Sequence, residues 1–296
     1  MTPTAPHEEA VGQVERVGIV GCGLMGSGIA ELSALAGYDV RVAVSSQDSL
    51  TVGRGRILAS LDRAVRAERI GAAEREAALG RISFTTDLIG LADRQLVIES
   101  IAEDKAAKVE LFALLDKTLE DPEAILASNT SSLSITAMAS ATDRPGQVLG
   151  LHFFSPTQLI PLVEVISSLH TEESVLSRAE AFVTVGLGKQ AIRSADRTGF
   201  VVNGLLVPYL LTAMRMVESG FASAETIDRG MTLGCSHPVG PLKLADLIGL
   251  DVLHSVAEAL YDEFKETLYA PPPLLTRMVE GGLLGKKTRR GFYRYG

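Results

Sequence analysis

The 296-residue sequence predicts an α/β fold, in which a doubly wound parallel sheet is followed by an all-helical C-terminal domain. Three observations lead to this prediction. Short β-branched runs alternate with helical segments over the first part of the chain, as in parallel sheets with helices on both faces. A glycine-rich turn joins the first strand to the first helix. From Phe200 onward the periodicity is helical, with glycine and proline between the helices.

The glycine-rich turn follows a strand at residues 16–20 and opens a helix at residues 27–36. Glycines in a G-x-G-x-x-G turn allow a tight bend and let the backbone approach a pyrophosphate at the helix N-terminus. A strand before the turn and a helix after it make this pattern the fingerprint of a Rossmann-type dinucleotide site. We therefore predict cofactor contacts at Gly21, Gly23, Leu24, Met25 and Gly26.

Further strands are predicted at residues 40–44, 81–85, 95–99 and 124–128, and helices at 48–69, 74–79 and 105–119. Polar side chains follow the ends of two of these strands, namely Glu103, Asn129 and Ser131. Ligands of doubly wound sheets bind outside the carboxyl ends of the strands. These residues are therefore expected to face one cleft together with the glycine-rich turn.

A histidine and a glutamate lie in two apolar runs later in the chain. His152 ends a run at residues 148–151, and Glu164 lies in the middle of a run at residues 161–165. Burying a carboxylate costs several kcal/mol unless it is paired, and His152 is the partner that we expect. A carboxylate fixes the tautomer of an imidazole, which suits proton transfer near neutral pH. The alternative is a satisfied core histidine beside an edge-strand glutamate.

The end of the second predicted strand departs from the usual dinucleotide pattern. Val44 occupies the place of an acidic residue that binds the adenosine ribose and repels a 2′-phosphate. Ser45 and Ser46 offer hydroxyl and N–H donors for such a phosphate, and Arg41 or Arg54 is expected to approach from nearby. No arginine directly follows the strand. The expected cofactor is NAD or NADP, with a slight preference for NADP.

The sequence predicts three segments: an N-terminal tail at residues 1–13, a dinucleotide-binding domain at 14–191 and a helical substrate and dimerisation domain at 192–296. The tail lacks the features of a signal peptide. Helices are predicted at residues 200–219, 223–233, 242–248, 250–268 and 274–280. The first of them is apolar on more than one face, so we expect a homodimer through this domain. Its apolar residues are Val201, Leu205, Leu206, Val207, Leu210 and Leu211.

Composition narrows the class of protein. A hydrophobic content of 46% with 22% charged residues is typical of soluble globular proteins. The net charge of −8 argues against nucleic acid as a partner. Cys22 and Cys235 lie far apart and show no metal-binding spacing, which favours a reduced, cytoplasmic compartment and predicts no metal site. No apolar run approaches the length of a membrane span.

Taken together, segments from the first strand to the C-terminus resemble the 3-hydroxyacyl-CoA dehydrogenase family and are most similar to its bacterial 3-hydroxybutyryl-CoA dehydrogenases. The matching segments are residues 17–30, 128–133, 151–164, 198–203, 238–241, 249–251, 285–288 and 291–293. The resemblance implies reversible hydride transfer between C3 of a 3-hydroxyacyl thioester and C4 of nicotinamide.

The resemblance also implies roles for individual residues. His152 matches the catalytic histidine, and Glu164 matches the glutamate that orients it. Ser131 matches the serine that binds the substrate 3-oxygen, and Asn203 matches an asparagine near the reacting carbonyl. The remaining matches are cofactor contacts at Glu103, Lys108 and Asn129 and a coenzyme A contact at Ser60.

Several positions depart from the family pattern close to His152 and Asn203. Ser155 replaces a frequent asparagine, residues 157–160 replace a more apolar stretch, and Pro161 replaces a common lysine. The acyl group and its carrier, coenzyme A or an acyl carrier protein in a biosynthetic pathway, therefore stay open. A non-catalytic dinucleotide-binding protein of lambda-crystallin type is a further alternative, although such a protein has no need of a buried histidine–glutamate pair.

Overall fold

The computed structural model describes residues 14–296, so the predicted tail at 1–13 lies outside the described residues. The chain divides into two compact units, Met1–Asp196 and Arg197–Gly296. The predicted boundary after residue 191 falls inside a strand, Gln190–Ala195, and is therefore corrected to the end of that strand. The sequence does not predict this strand, because its side chains are exposed or half-buried and form no apolar run.

The first unit contains the predicted doubly wound sheet, with eight strands in the order β3-β2-β1-β4-β5-β6-β7-β8. In chain order, β1 to β8 span Arg16–Val20, Asp39–Ala43, Ile82–Thr85, Leu96–Glu99, Ile125–Ser128, Val148–Phe153, Leu162–Ser167 and Gln190–Ala195. All neighbours are parallel except β6 and β7, which are antiparallel. The sheet is thus not wholly parallel, because only the loop at residues 154–161 joins these two strands and no crossover helix intervenes.

Helices cover both faces of this sheet. In chain order, α1 to α6 span Leu24–Leu35, Gln47–Arg66, Ala72–Gly80, Lys105–Thr118, Ile135–Ala139 and Glu173–Ala181. The side chains of Ser46, Asp104 and Ser134 cap α2, α4 and α5 by accepting a backbone N–H three residues later. The central strands β4, β5 and β6 are buried along their whole length, which explains their continuous apolar sequences.

The second unit is all-helical, as predicted. In chain order, α7 to α11 span Val202–Glu218, Ala224–Gly234, Pro241–Ile248, Leu250–Phe264 and Pro273–Glu280. The fourth of these helices ends before the predicted residue 268, because Lys265 adopts a left-handed conformation with a φ of +55°. Asp246 ties the C-terminal segment to this unit by accepting the N–H groups of Phe292 and Tyr293, each at 2.9 Å. No helix within residues 14–296 has the length and apolar character needed to cross a membrane.

Candidate dinucleotide and acid–base site

The glycine-rich turn between β1 and α1 has the close contacts that only glycine permits. Gly21 has a φ of +93°, and a Cβ atom there would lie 2.6 Å from the carbonyl oxygen of Ser100. A Cβ atom at Gly26 would lie 2.1 Å from the carbonyl oxygen of Gly21. By contrast, apart from its chain neighbours, no atom of residues 14–296 lies within 4 Å of the Cβ position of Gly23, so the backbone is open on that side. The turn therefore fits a pyrophosphate at the N-terminus of α1, next to Leu24 and Met25.

The residues after β2 would face the adenosine ribose of a dinucleotide. Val44 is 7% exposed, Ser45 is exposed, and the Ser46 hydroxyl is engaged as the cap of α2. The expected approach of Arg41 is not found. Its guanidinium donates to the carbonyl oxygen of Gly90 at 2.7 Å, because the side chain in the middle of β2 reaches the segment after β3.

An arginine that the sequence did not single out contacts the glycine-rich turn. Arg56 Nη1 donates to the carbonyl oxygen of Cys22 at 3.0 Å. Helix α2 approaches the turn closely because it carries Gly53, where a Cβ atom would lie 2.5 Å from Cys22 Sγ. Burial raises the pKa of the Cys22 thiol to about 11, so the thiol stays protonated at neutral pH. This contact depends on how α2 packs against the turn, so no spacing in the sequence indicates it.

Lys108 is buried, and its ammonium group pairs with two carboxylates. Its Nζ atom lies 3.0 Å from Glu99 Oε1 and 2.9 Å from Glu103 Oε2, and the lysine is 1% exposed. Partial burial raises the pKa of Glu103, but the Lys108 charge and several hydrogen bonds outweigh it and hold the pKa below its ordinary value. Glu103 in turn accepts the backbone N–H of Ser131 at 3.1 Å. This ionised carboxylate thus fixes the loop after β5.

Asn129 connects the ends of β5 and β6. Its Oδ1 atom accepts the backbone N–H of Phe153 at 2.9 Å, one residue after His152. The side chain therefore positions the backbone next to the histidine, besides any contact with a cofactor.

His152 and Glu164 make the contact that the sequence predicts. Because β6 and β7 are antiparallel, the two residues lie opposite each other in register. The His152 Nδ1 and Glu164 Oε2 atoms are 2.7 Å apart, with His152 6% exposed and Glu164 0% exposed. The ring of Phe154 packs against the imidazole at a centroid distance of 4.5 Å. A carboxylate at Nδ1 places the ring proton on that nitrogen, which makes Nε2 the basic atom.

The carboxyl-terminal edge of the sheet brings together most of the predicted site residues of the first unit. The glycine-rich turn follows β1, Glu103 follows β4, Asn129 and Ser131 follow β5, and His152 ends β6. Ser60 lies on α2, where it hydrogen-bonds Glu31 of α1. Asn203 lies in the first turn of α7, in the second unit. Within the described part of the chain, no group of three or more His, Cys, Asp or Glu side chains could hold a metal ion.

A glycine-rich dinucleotide turn and a carboxylate-held histidine at one edge of a doubly wound sheet define the class of nicotinamide-dependent oxidoreductases. Comparison with known proteins then identifies the family. The model of the 3-hydroxyacyl-CoA dehydrogenase NAD binding domain matches residues 16–197, and that of the C-terminal domain matches residues 199–295. The chain belongs to the 3-hydroxyacyl-CoA dehydrogenase family, which confirms the resemblance stated above.

Individual relatives match over nearly their whole length. A 3-hydroxybutyryl-CoA dehydrogenase of Mycobacterium tuberculosis is 56% identical over 282 residues, which cover 95% of this chain and 99% of the relative. The mitochondrial hydroxyacyl-coenzyme A dehydrogenase of Homo sapiens is 39% identical over 289 residues, covering 95% and 91%. The crystal structure of M. tuberculosis FadB2 superposes with a TM-score of 0.94 at 56% identity, covering 96% of this chain and 100% of that chain.

Proposed function

We propose that this protein is an NAD(P)-dependent 3-hydroxyacyl-CoA dehydrogenase that interconverts 3-hydroxybutyryl-type and 3-oxoacyl thioesters. The observation that carries the proposal is the buried 2.7 Å contact between His152 and Glu164 at the same sheet edge as the glycine-rich turn. The names of the full-length relatives, 3-hydroxybutyryl-CoA dehydrogenase and hydroxyacyl-coenzyme A dehydrogenase, support it.

In this proposal His152 transfers the proton of the substrate hydroxyl. Glu164 holds the Nδ1 proton, so Nε2 accepts the hydroxyl proton during oxidation and returns it during reduction. The carboxylate also stabilises the imidazolium that forms after this transfer. The bound nicotinamide supplies the hydride acceptor or donor at C4.

Two further residues are proposed to hold the substrate oxygen. The backbone N–H of Ser131 donates to Glu103. The position of the Ser131 hydroxyl is therefore restrained before substrate binds. Asn203, at the start of α7, is proposed as a second donor, on the resemblance of its segment to the family. Hydrogen bonds to an oxygen on which charge develops lower the barrier. Glu103 and Asn129 are proposed to contact the cofactor, and Lys108 to act through Glu103.

We propose weak discrimination between NAD and NADP, with a slight preference for NADP. Val44 lacks the carboxylate that binds a ribose hydroxyl and repels a phosphate. With Arg41 engaged elsewhere, the preference rests on Ser45 and on exposed Arg54.

The proposed carrier is coenzyme A, since it is named in the relatives' activities. Ser60 lies on α2, and Arg63 of this helix and Arg69 just after it act on Glu31, which Ser60 hydrogen-bonds, so positive charge is present next to the proposed contact. An acyl carrier protein thioester remains the alternative.

A homodimer through the helical unit is also proposed, in the cytoplasm. In α7 and just before it, Leu205 and Val201 are 73% and 41% exposed although both are apolar. Light scattering at micromolar concentration is expected to give twice the chain mass, and a monomer would contradict this.

The test of the proposed function is a spectrophotometric assay of acetoacetyl-CoA with NADH and with NADPH. Thioester-dependent oxidation of at least one dinucleotide is expected. A parallel reaction with an acetoacetyl acyl carrier protein separates the two carriers. Dinucleotide binding without turnover of either thioester would contradict the proposal and favour a non-catalytic protein of lambda-crystallin type.

A further inference from the structure

The loop that follows His152, at residues 154–161, is packed onto helix α1. Thr157 is 4% exposed and sits over Gly28, where a Cβ atom would lie 2.1 Å from Thr157 Oγ1. Gln158 Nε2 donates to Glu31 Oε2 at 2.7 Å. The side of the loop that faces α1 is thus polar.

Glu31 is a buried carboxylate within the first unit, and it is 1% exposed. Its hydrogen-bond partners are Gln158 and Ser60, and the charges that act on it are those of Arg63 and Arg69. Burial raises the pKa of Glu31, while these hydrogen bonds and charges oppose the shift. A carboxylate in this position is costly unless its acceptors are used, so the bond from Gln158 has a stabilising function.

The other end of the same loop is held by a second buried charge. Lys189 Nζ donates to the carbonyl oxygen of Ile160 at 2.6 Å, and Lys189 is 6% exposed. Both anchors hold the segment that begins with Phe154, whose ring packs against His152. The conformation of the loop therefore bears directly on the surroundings of the imidazole.

We propose that Gln158 and Glu31 are positioning residues, whose hydrogen bond fixes the loop so that Phe154 stays packed against His152. This inference rests on the proposed function. Neither side chain takes part in proton or hydride transfer. Loss of the bond is expected to lower turnover of the thioester and to leave dinucleotide affinity unchanged, because neither Glu31 nor Gln158 is among the proposed cofactor contacts.

The test exchanges the two side chains. In Gln158→Glu, a second carboxylate faces that of Glu31 where the wild type has a 2.7 Å hydrogen bond. Because like charges repel, this variant is expected to lower kcat/KM for acetoacetyl-CoA about tenfold or more at pH 8. The double variant Glu31→Gln/Gln158→Glu restores an amide–carboxylate pair and is expected to return to within about threefold of wild type.

Two further readouts separate positioning from general damage. The defect of Gln158→Glu is expected to shrink as the pH falls, because two adjacent carboxyl groups share one proton. The affinity for NADH, measured by fluorescence titration, is expected to stay within about twofold in every variant. Wild-type kcat/KM in Gln158→Glu, or no recovery in the double variant, would overturn the proposal.

Hydrogen exchange keeps this test independent of the proposed function. The amides of Leu159 and Ile160, which donate to the carbonyl oxygen of Pro156, are expected to exchange faster in Gln158→Glu and at the wild-type rate in the double variant. If the wild type shows no turnover, the proposed function fails while this comparison still decides the anchoring of the loop. Equal exchange in all three proteins would overturn it.

Discussion

Replacing Glu164 with glutamine removes the negative charge beside His152 and keeps the size of the side chain. Glu164 is 0% exposed, and its Oε2 atom lies 2.7 Å from His152 Nδ1. Two unit charges roughly 4 Å apart attract each other by about 4 kcal/mol at an effective dielectric constant near 20. This energy stabilises the imidazolium formed in the transition state, and its full loss equals a factor of about 10³ in rate. Some compensation by the amide is expected, so we predict a loss of about 10²–10³ in kcat.

The assay is kcat for acetoacetyl-CoA reduction at saturating cofactor, with NADH affinity measured alongside to show that the dinucleotide site is intact. Glu110→Gln, on the exposed side of α4, is the matched control and is expected to keep wild-type activity. If Glu164→Gln keeps more than about a third of wild-type kcat with chemistry rate-limiting, the carboxylate does not support proton transfer and the reasoning is refuted.

Three other predictions concern the cofactor, the thiols and the helical unit. Val44→Asp adds a ribose acceptor and is expected to shift the kcat/KM ratio toward NADH about tenfold, or ~1.4 kcal/mol; an unchanged ratio would show that this position does not select the cofactor. Iodoacetamide at pH 7 is expected to label exposed Cys235 and spare Cys22, whose pKa is about 11. If mass spectrometry finds two labels per chain after the native protein has been treated, this prediction is contradicted. Asp246→Ala leaves the N–H groups of Phe292 and Tyr293 without their acceptor and is expected to lower the free energy of unfolding by about 3–5 kcal/mol. Urea denaturation showing a loss below ~1 kcal/mol would refute the tethering role of Asp246.

The central strands of the sheet were predictable because burial on both faces produces continuous apolar sequences. Strand β8 was not, since its residues are exposed or half-buried at the edge of the sheet and carry no such pattern. The sequence predicts the end of α10 at residue 268, four residues beyond its actual end at Phe264. Lys265 adopts a left-handed conformation without a glycine to indicate it.

The histidine–glutamate contact was predictable because a glutamate within an apolar run needs a partner and one histidine ends the preceding run. Contacts that depend on how helices pack were not. The bond from Arg56 to the glycine-rich turn requires the close approach of α2, and the bond from Gln158 to Glu31 requires the loop to fold onto α1. Sequence spacing carries little information on such long-range contacts.

The most direct test of proton transfer by His152 is a single-turnover measurement. Enzyme with bound oxidised cofactor is mixed rapidly with 3-hydroxybutyryl-CoA, and formation of the reduced nicotinamide is followed in wild type and in His152→Gln. Cofactor binding is expected to stay unchanged in the variant, and the rate constant is expected to fall by about 10²–10⁴. A variant that keeps more than about a tenth of the wild-type rate constant would contradict the assignment of His152 as the proton-transfer group.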